Sequence, residues 1–448
     1  MAIKTLTINA GNSIGPFKPL NGVNGGPWVR AGTYDLSPEF EGFSPPIARL
    51  HDTRYNDEDT VDIHCIFPDM SVDADDPANY RFDQTDEHIR SLVELGIDVI
   101  YRLGESIEHG RKKYFVNPPK DLEKWAKVAS NIVRHYNQGW ADGYEWNIQR
   151  WEIWNEFDGG GSWTGTTEQY CELYRRTATA IKEIAPDVMV GGPALAHRMD
   201  TLDGREFLSY CRDNDLPLDF ISWHGYGSHP NQVIERIKLG LDIAKEYGFT
   251  GTETHFTEWN YVPKDEDSES ILRTRDPRKS REYSDRIAGA EGAAFSGSTL
   301  AFMQDTDLDI ACYYVAMGGI FRLGMFDRYM VPTKQYYAFK AFKAVAECGT
   351  RVETSGGDLS TGLGVVAGIS REKQKTAVLA SNFDDPESRF QLKISDLQIE
   401  GSIRCREFVV DEHHELVEIR DQLFNSGNIS LTIDLPAPSV RLVLFDQI

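Results

Sequence analysis

Between about residue 20 and residue 345, short β-type apolar runs alternate with helical periodicities, which restricts the possible folds more than any other feature of the chain. The runs are Ile47–Leu50, Val99–Leu103, Trp151–Trp154, Val188–Gly191, Phe220–Trp223, His255–Thr257 and Ile310–Val315, with a fainter one at Leu20–Val23. Between them apolar residues recur at three and four. Leu122, Trp125, Val128, Ala129, Ile132, Val133 and Tyr136 form one such face. Tyr170, Leu173, Tyr174, Ala178 and Ile181 form another, behind a capping-box start at Thr166 and Gln169. Parallel strands need helical crossovers, so eight such units predict a closed (β/α)8 barrel. A doubly wound sheet competes, but no GxGxxG or P-loop follows any run, and Gly159-Gly160-Gly161 has neither the spacing nor the lysine. No cofactor site is therefore expected.

After about Glu347 the period changes to two. Phe390, Leu392 and Ile394 alternate with polar residues, as do Ile429, Leu431, Ile433 and Leu435, and Val440, Leu442 and Leu444. Glycines punctuate the segment. This predicts antiparallel strands with one buried face. The expected division is a barrel over 11–346 and a β-sandwich over 347–448, completed by a strand from residues 1–10.

Composition narrows the partners. There are 47 Lys and Arg against 70 Asp and Glu, a net charge of −23, which argues against nucleic acid because phosphate binding needs clustered cations. No apolar run is long enough to span a membrane. The six cysteines show no CxxC spacing, and the N-terminus has no apolar leader-like core, so the expected location is cytoplasmic and a metal site is not expected. His413-His414 has no further ligands nearby in sequence and reads as a surface pair.

A barrel of this kind carries its chemistry at the C-terminal ends of its strands. The fourth run closes as Trp154-Asn155-Glu156 and the seventh as Thr257-Glu258-Trp259-Asn260. Two carboxyl groups facing each other across the mouth suit glycoside hydrolysis, where one protonates the leaving oxygen and the other attacks the anomeric carbon or activates water. Trp154, Trp163, Trp259 and Tyr261 are candidate sugar-stacking surfaces, with loop packing the competing reading for Trp163. Strand parity places residues 152, 154 and 156 on one face, Arg49 and His51 on one face, and Ser222, His224 and Tyr226 on one face. Glu152 reads as a buried structural carboxylate paired with Arg49 or Arg102. Asp158 and Glu105 are strand-end acids of open role. An acidic then basic insertion over 264–281 reads as a solvated loop or as a lid over the cleft.

These motifs resemble clan A of the retaining glycoside hydrolases. Arg49-Leu50-His51, Trp223-His224-Gly225-Tyr226 and the stretch from Pro332 to Lys340 make the chain most similar to family 39, which contains β-xylosidases and α-L-iduronidases. The resemblance implies Glu156 as general acid/base and Glu258 as nucleophile. It implies that Asn155 contacts the 2-hydroxyl, that Tyr226 holds the nucleophile ionised, and that His51 and His224 contact sugar hydroxyls. The substrate it implies is an oligosaccharide or glycoside, with exo-acting β-xylosidase-like cleavage favoured. Iduronidase-like or arabinosidase-like activity and a non-catalytic carbohydrate-binding barrel are the alternatives. A homo-oligomer is compatible with the sequence. One departure stands out: family members carry a Trp near the end of the eighth strand, where this chain reads Tyr313-Tyr314-Val315-Ala316.

Overall fold

The computed structural model describes residues 3–53, 60–264, 272, 274–317, 323–372, 374–397, 399, 401–425 and 427–448. The acidic half of the 264–281 insertion, residues 265–271, lies outside the described residues, as does Arg273.

Nineteen strands are described. In chain order they are β1 (Lys4–Pro16), β2 (Gly22–Asn24), β3 (Trp28–Val29), β4 (Tyr34–Asp35), β5 (Ile47–Leu50), β6 (Asp98–Leu103), β7 (Arg150–Ile153), β8 (Met189–Leu195), β9 (Phe220–Gly227), β10 (Glu253–Tyr261) and β11 (Ile310–Tyr313). Then come β12 (Thr350–Ser355), β13 (Leu363–Ile369), β14 (Lys375–Asn382), β15 (Arg389–Ser395), β16 (Ile403–Val410), β17 (Glu415–Phe424), β18 (Ile429–Asp434) and β19 (Ser439–Gln447).

β2, β5, β6, β7, β8, β9, β10 and β11 close into an all-parallel barrel, as the alternation predicts. Its floor is filled by Ile47, Ile100, Ile310 and Cys312. Gly22 lets neighbouring strands approach, since a Cβ there would sit 2.7–2.9 Å from Ile47 and from the Ala311 carbonyl. The outer helices bury the predicted faces. Helix Leu122–Gln138 starts on an Asp121 cap, and helix Thr167–Ile184 carries the complete Thr166/Gln169 capping box.

The second unit is a nine-stranded sheet in the order β17-β16-β19-β14-β13-β12-β1-β15-β18. Every pairing is antiparallel except β1 with β15. Register shifts between Asn9 and Gly15 bend β1 where it runs along β12. Leu6, Ile8, Val378, Leu392, Cys405, Ile433 and Phe445 share one apolar core.

The expectation of one buried face fails for β14 and β19. Val378, Val443 and Phe445 face the sheet's own core, whereas Ala377, Leu379, Leu442 and Leu444 join the core shared with the barrel. The cause is the helix Ala290–Met303, whose small residues let it press against this sheet. Ser298 donates to the Gly362 carbonyl at 2.6 Å and Ser381 to the Ala294 carbonyl at 2.8 Å. No helix among the described residues is long and apolar enough to cross a membrane.

Candidate active site

Arg49 organises the barrel mouth. It is fully buried on β5, and its guanidinium fork reaches β7, β10 and β2. Its Nε donates to Glu152 at 2.6 Å, its Nη1 to Glu258 at 2.8 Å, and its Nη2 to Asn155 at 2.7 Å. Thr257 also donates to Glu152, at 3.3 Å. A buried charge of this kind persists only when paired, and here one cation is shared by two carboxylates and two amides, the second being Asn24 at 3.3 Å.

Glu258 sits on β10 opposite His224 of β9. One oxygen takes the Arg49 bond and the other accepts the Tyr226 hydroxyl at 2.6 Å. Glu156 follows β7, and its oxygen lies 2.8 Å from His224 Nδ1, which is 3.6 Å from Glu258. Ligand atoms of Glu156, His224 and Glu258 all fall within 4.8 Å of one another, so the two carboxyl groups face each other at short range.

Burial and neighbouring charge divide the two acids. Burial, followed by the negative charge of Asp158, pushes the Glu156 carboxyl up to about 8. Burial raises Glu258 too, but the Arg49 charge and the Tyr226 bond pull against it. Burial lowers His224 to about 4 and holds His51 well below its usual value, so both imidazoles are neutral near pH 7.

The site brings together Glu156, Glu258, Asn155, Arg49, Glu152, His51, His224 and Tyr226. His51 Nε2 lies 3.7 Å from Glu258 and 3.6 Å from Asp52. Asn155 keeps its Nδ2 buried with no acceptor among the described residues, a donor open to a hydroxyl. Arg102, offered as the other partner of Glu152, instead pairs with Asp62 at 2.5 Å.

None of the four expected sugar platforms reaches it, Tyr261 being packed against Phe295 and Phe383. Trp259 is turned outward, stacked on Phe339 and edge-on to Tyr313, because consecutive strand residues point to opposite faces and Glu258 takes the inner one. Trp163 is consumed by loop packing: it stands edge-on to Trp154 at 4.9 Å and donates to the Thr166 carbonyl. Parity also fails at residue 154. Trp154 and Glu156 take φ of +71° and +48°, so Trp154 swings outward against Trp125 while Asn155 and Glu156 both face the mouth.

Asn24 and Tyr314 have no role in the sequence reading, and Asp158 only an open one. Asn24 fixes β2 to its neighbours through the Thr257 and Tyr313 carbonyls. Asp158 ties the loop after β7 to that after β8 by accepting from the backbone of Ala196 and His197. Tyr314 donates to Asp52 at 2.6 Å. Asp158 was the only one flagged by its position at a strand end.

Besides the trio at the mouth, Asp62, His64 and Glu105 also offer ligand atoms within 4.8 Å of one another. These atoms are already engaged: His64 Nδ1 lies 2.5 Å from Glu105, and Arg102 holds Asp62. A guanidinium beside each trio works against a dication there.

The family model of glycosyl hydrolases family 39 matches residues 49–253, a span holding Arg49, Glu156, His224 and Tyr226. A β-xylosidase of Caldicellulosiruptor saccharolyticus is 26% identical over 393 residues, 78% of this chain and 73% of that protein. A glucosidase from Croceicoccus marinus superposes with a TM-score of 0.85 at 24% identity, covering 100% of this chain and 99% of that one. A monomeric β-xylosidase from Caulobacter crescentus CB15 gives a TM-score of 0.74 at 16% identity, covering 99% and 100%.

Proposed function

The chain is a retaining glycoside hydrolase that most resembles family 39, and from that premise we propose that it removes a β-linked neutral sugar, a xylosyl residue first among candidates, from the non-reducing end. The observation that carries this reading is the short-range pair of Glu156 and Glu258, with oxygens inside 4.8 Å. Retention needs carboxyl groups ~5–5.5 Å apart, whereas inversion needs ~6.5–9.5 Å to admit a water.

In the first step Glu156 gives its proton to the glycosidic oxygen as Glu258 attacks the anomeric carbon. The carbon–oxygen bond breaks and a glycosyl ester forms. Esterification removes a negative neighbour, which favours ionised Glu156. Glu156 then takes a proton from water as the water oxygen displaces Glu258. Arg49 and Tyr226 hold both Glu258 oxygens, keeping the nucleophile aimed and ionised. The buried Nδ2 of Asn155 is placed to donate to the 2-hydroxyl.

A neutral sugar fits better than a uronate. Arg49 is wholly engaged by protein groups, and the charge of Arg102 is already balanced by Asp62 at 2.5 Å. A non-catalytic binding barrel has no use for two opposed carboxyl groups with divided proton affinities. The proposal includes a reducing compartment, supported by the six cysteines, none of which forms a disulfide.

The test is turnover of 4-nitrophenyl β-xyloside, β-glucoside, α-arabinofuranoside and α-iduronide by the wild type, Glu156→Gln and Glu258→Gln. Fastest turnover of the xyloside, with loss of at least ~10³-fold in Glu258→Gln, is expected. Full activity in Glu258→Gln, or a first-formed product of inverted configuration, would sink the mechanism.

A further inference from the structure

Asp52 and Tyr314 form a pair that the two-carboxyl mechanism does not use. They come from opposite ends of the barrel sequence, the loop after β5 and the end of β11. The Tyr314 hydroxyl donates to Asp52 Oδ2 at 2.6 Å, and Asp52 Oδ1 lies 3.6 Å from His51, the residue that also neighbours Glu258. Tyr314 is set edge-on to Tyr226 with ring centroids 6.3 Å apart, and lies 6.4 Å from the ring of His51. The pair therefore borders the space over the nucleophile, one imidazole away from it.

Three observations mark the pair as built for a ligand. Asp52 holds its position with φ at +47°, a left-handed conformation that costs a non-glycine residue energy and that clusters at functional sites. Tyr314 is fixed from behind, since Asn260 donates to the Tyr314 carbonyl at 2.5 Å and the Tyr314 amide donates to the Trp259 carbonyl at 3.0 Å. Third, the Asp52 carboxylate is under-used. Its side chain is 11% exposed and, among the described residues, its one hydrogen bond is from Tyr314, since 3.6 Å to His51 is too long. A carboxylate has about four acceptor directions, and among the described residues one of them is filled, by Tyr314.

We propose that Asp52, anchored by Tyr314, is the specificity-determining acceptor of the subsite for the non-reducing sugar. It takes a hydroxyl hydrogen from a ring carbon remote from the scissile bond, and it bars sugars that carry a carboxylate there. The inference rests on the glycosidase reading above. Tyr314 is the positioning residue: its hydroxyl occupies one oxygen of Asp52 and turns the other toward the sugar. A hydroxyl donating to a carboxylate makes a short, charge-assisted bond, whereas an incoming carboxylate finds like charge at Asp52.

The experiment uses Asp52→Gly, Asp52→Asn and Tyr314→Phe. Glycine suits the positive φ, and asparagine tolerates it, so both variants keep the fold, which a melting curve checks. The substrates are 4-nitrophenyl β-xyloside, its 3-deoxy and 4-deoxy analogues, and the β-glucuronide. In the wild type, one of the two deoxy changes should lower kcat/KM about 10- to 100-fold. In Asp52→Gly that same change should cost less than about 3-fold, because its partner has gone, and in Tyr314→Phe an intermediate factor is expected. Asp52→Asn should raise glucuronide turnover relative to xyloside by about 10-fold or more.

An equal loss on the parent and on both deoxy substrates in Asp52→Gly, or unchanged glucuronide discrimination in Asp52→Asn, overturns the proposal and leaves the glycosidase reading intact. A wild type inert on the whole set overturns the glycosidase reading and this inference with it.

Discussion

Arg49 commits each arm of its guanidinium to a different group, and these contacts together could not be served by a single point charge. Lysine keeps the charge but not the fork. Arg49→Lys is expected to leave Glu152 or Glu258 unpaired, lowering stability by about 3–5 kcal/mol and kcat/KM by roughly 10²-fold or more. Chemical denaturation and steady-state kinetics check both. Glu156 makes a prediction of opposite sign. Below pH 4.5 its carboxyl is protonated in the folded and the unfolded chain alike. Above that the unfolded chain releases the proton while the folded chain keeps it to about 8, so the native state loses relative stability across this window. Glu156→Gln cannot ionise. It should melt with the wild type at pH 4 and above it at pH 8 and beyond, and equal melting temperatures at both values would contradict the burial argument. Its kinetic defect should be smaller with a 4-nitrophenolate leaving group than with an alkyl one, because nitrophenolate departs with little help from a proton.

At the scale of elements, the interiors of strands and helices were legible and their ends were not. Apolar period and capping chemistry act within a few residues, so the Thr166/Gln169 box and the starts of the barrel helices follow from local sequence. Thr166→Ala should cost about 1 kcal/mol in urea denaturation while leaving kcat/KM unchanged, since helix Thr167–Ile184 packs outside the mouth. The strand ends answer to tertiary contacts instead. Alternation assigns Glu152 correctly to the interior and then misplaces Trp154, because the chain turns left-handed at Trp154 and Glu156 as it leaves β7. The two catalytic candidates could be read from the Asn-Glu and Glu-Trp-Asn contexts. The aromatic character of Trp259 and Trp163 said nothing about which way the rings face. Asp52 and Tyr314 were hidden for another reason: 262 residues separate them, and neither has a local pattern that calls for the other.

Over the whole molecule, β1 joins segments far apart in the chain. It pairs with β12 on one side and β15 on the other, so it lies inside the nine-stranded sheet and not at its rim. Deleting residues 3–16 would uncover two strand edges and remove the apolar row of Leu6, Ile8 and Ala10 from a shared core. The truncated chain is expected to be insoluble or to lose its single cooperative melting transition, whereas a charge-neutral change at exposed Asn12 should leave both intact. The pressing of helix Ala290–Met303 on β14 and β19 carries such a defect to the barrel, because these elements share one apolar core.

The position of β1 also has a consequence in time. Its partner Phe390 is made 386 residues after Lys4. At about 5–20 residues per second, the growing chain carries this strand without its mates for roughly 20–80 s while the barrel assembles behind it. Synthesis thus separates the two halves of the sheet more than the finished molecule does, and the last unit to close must recover the earliest strand of the pair.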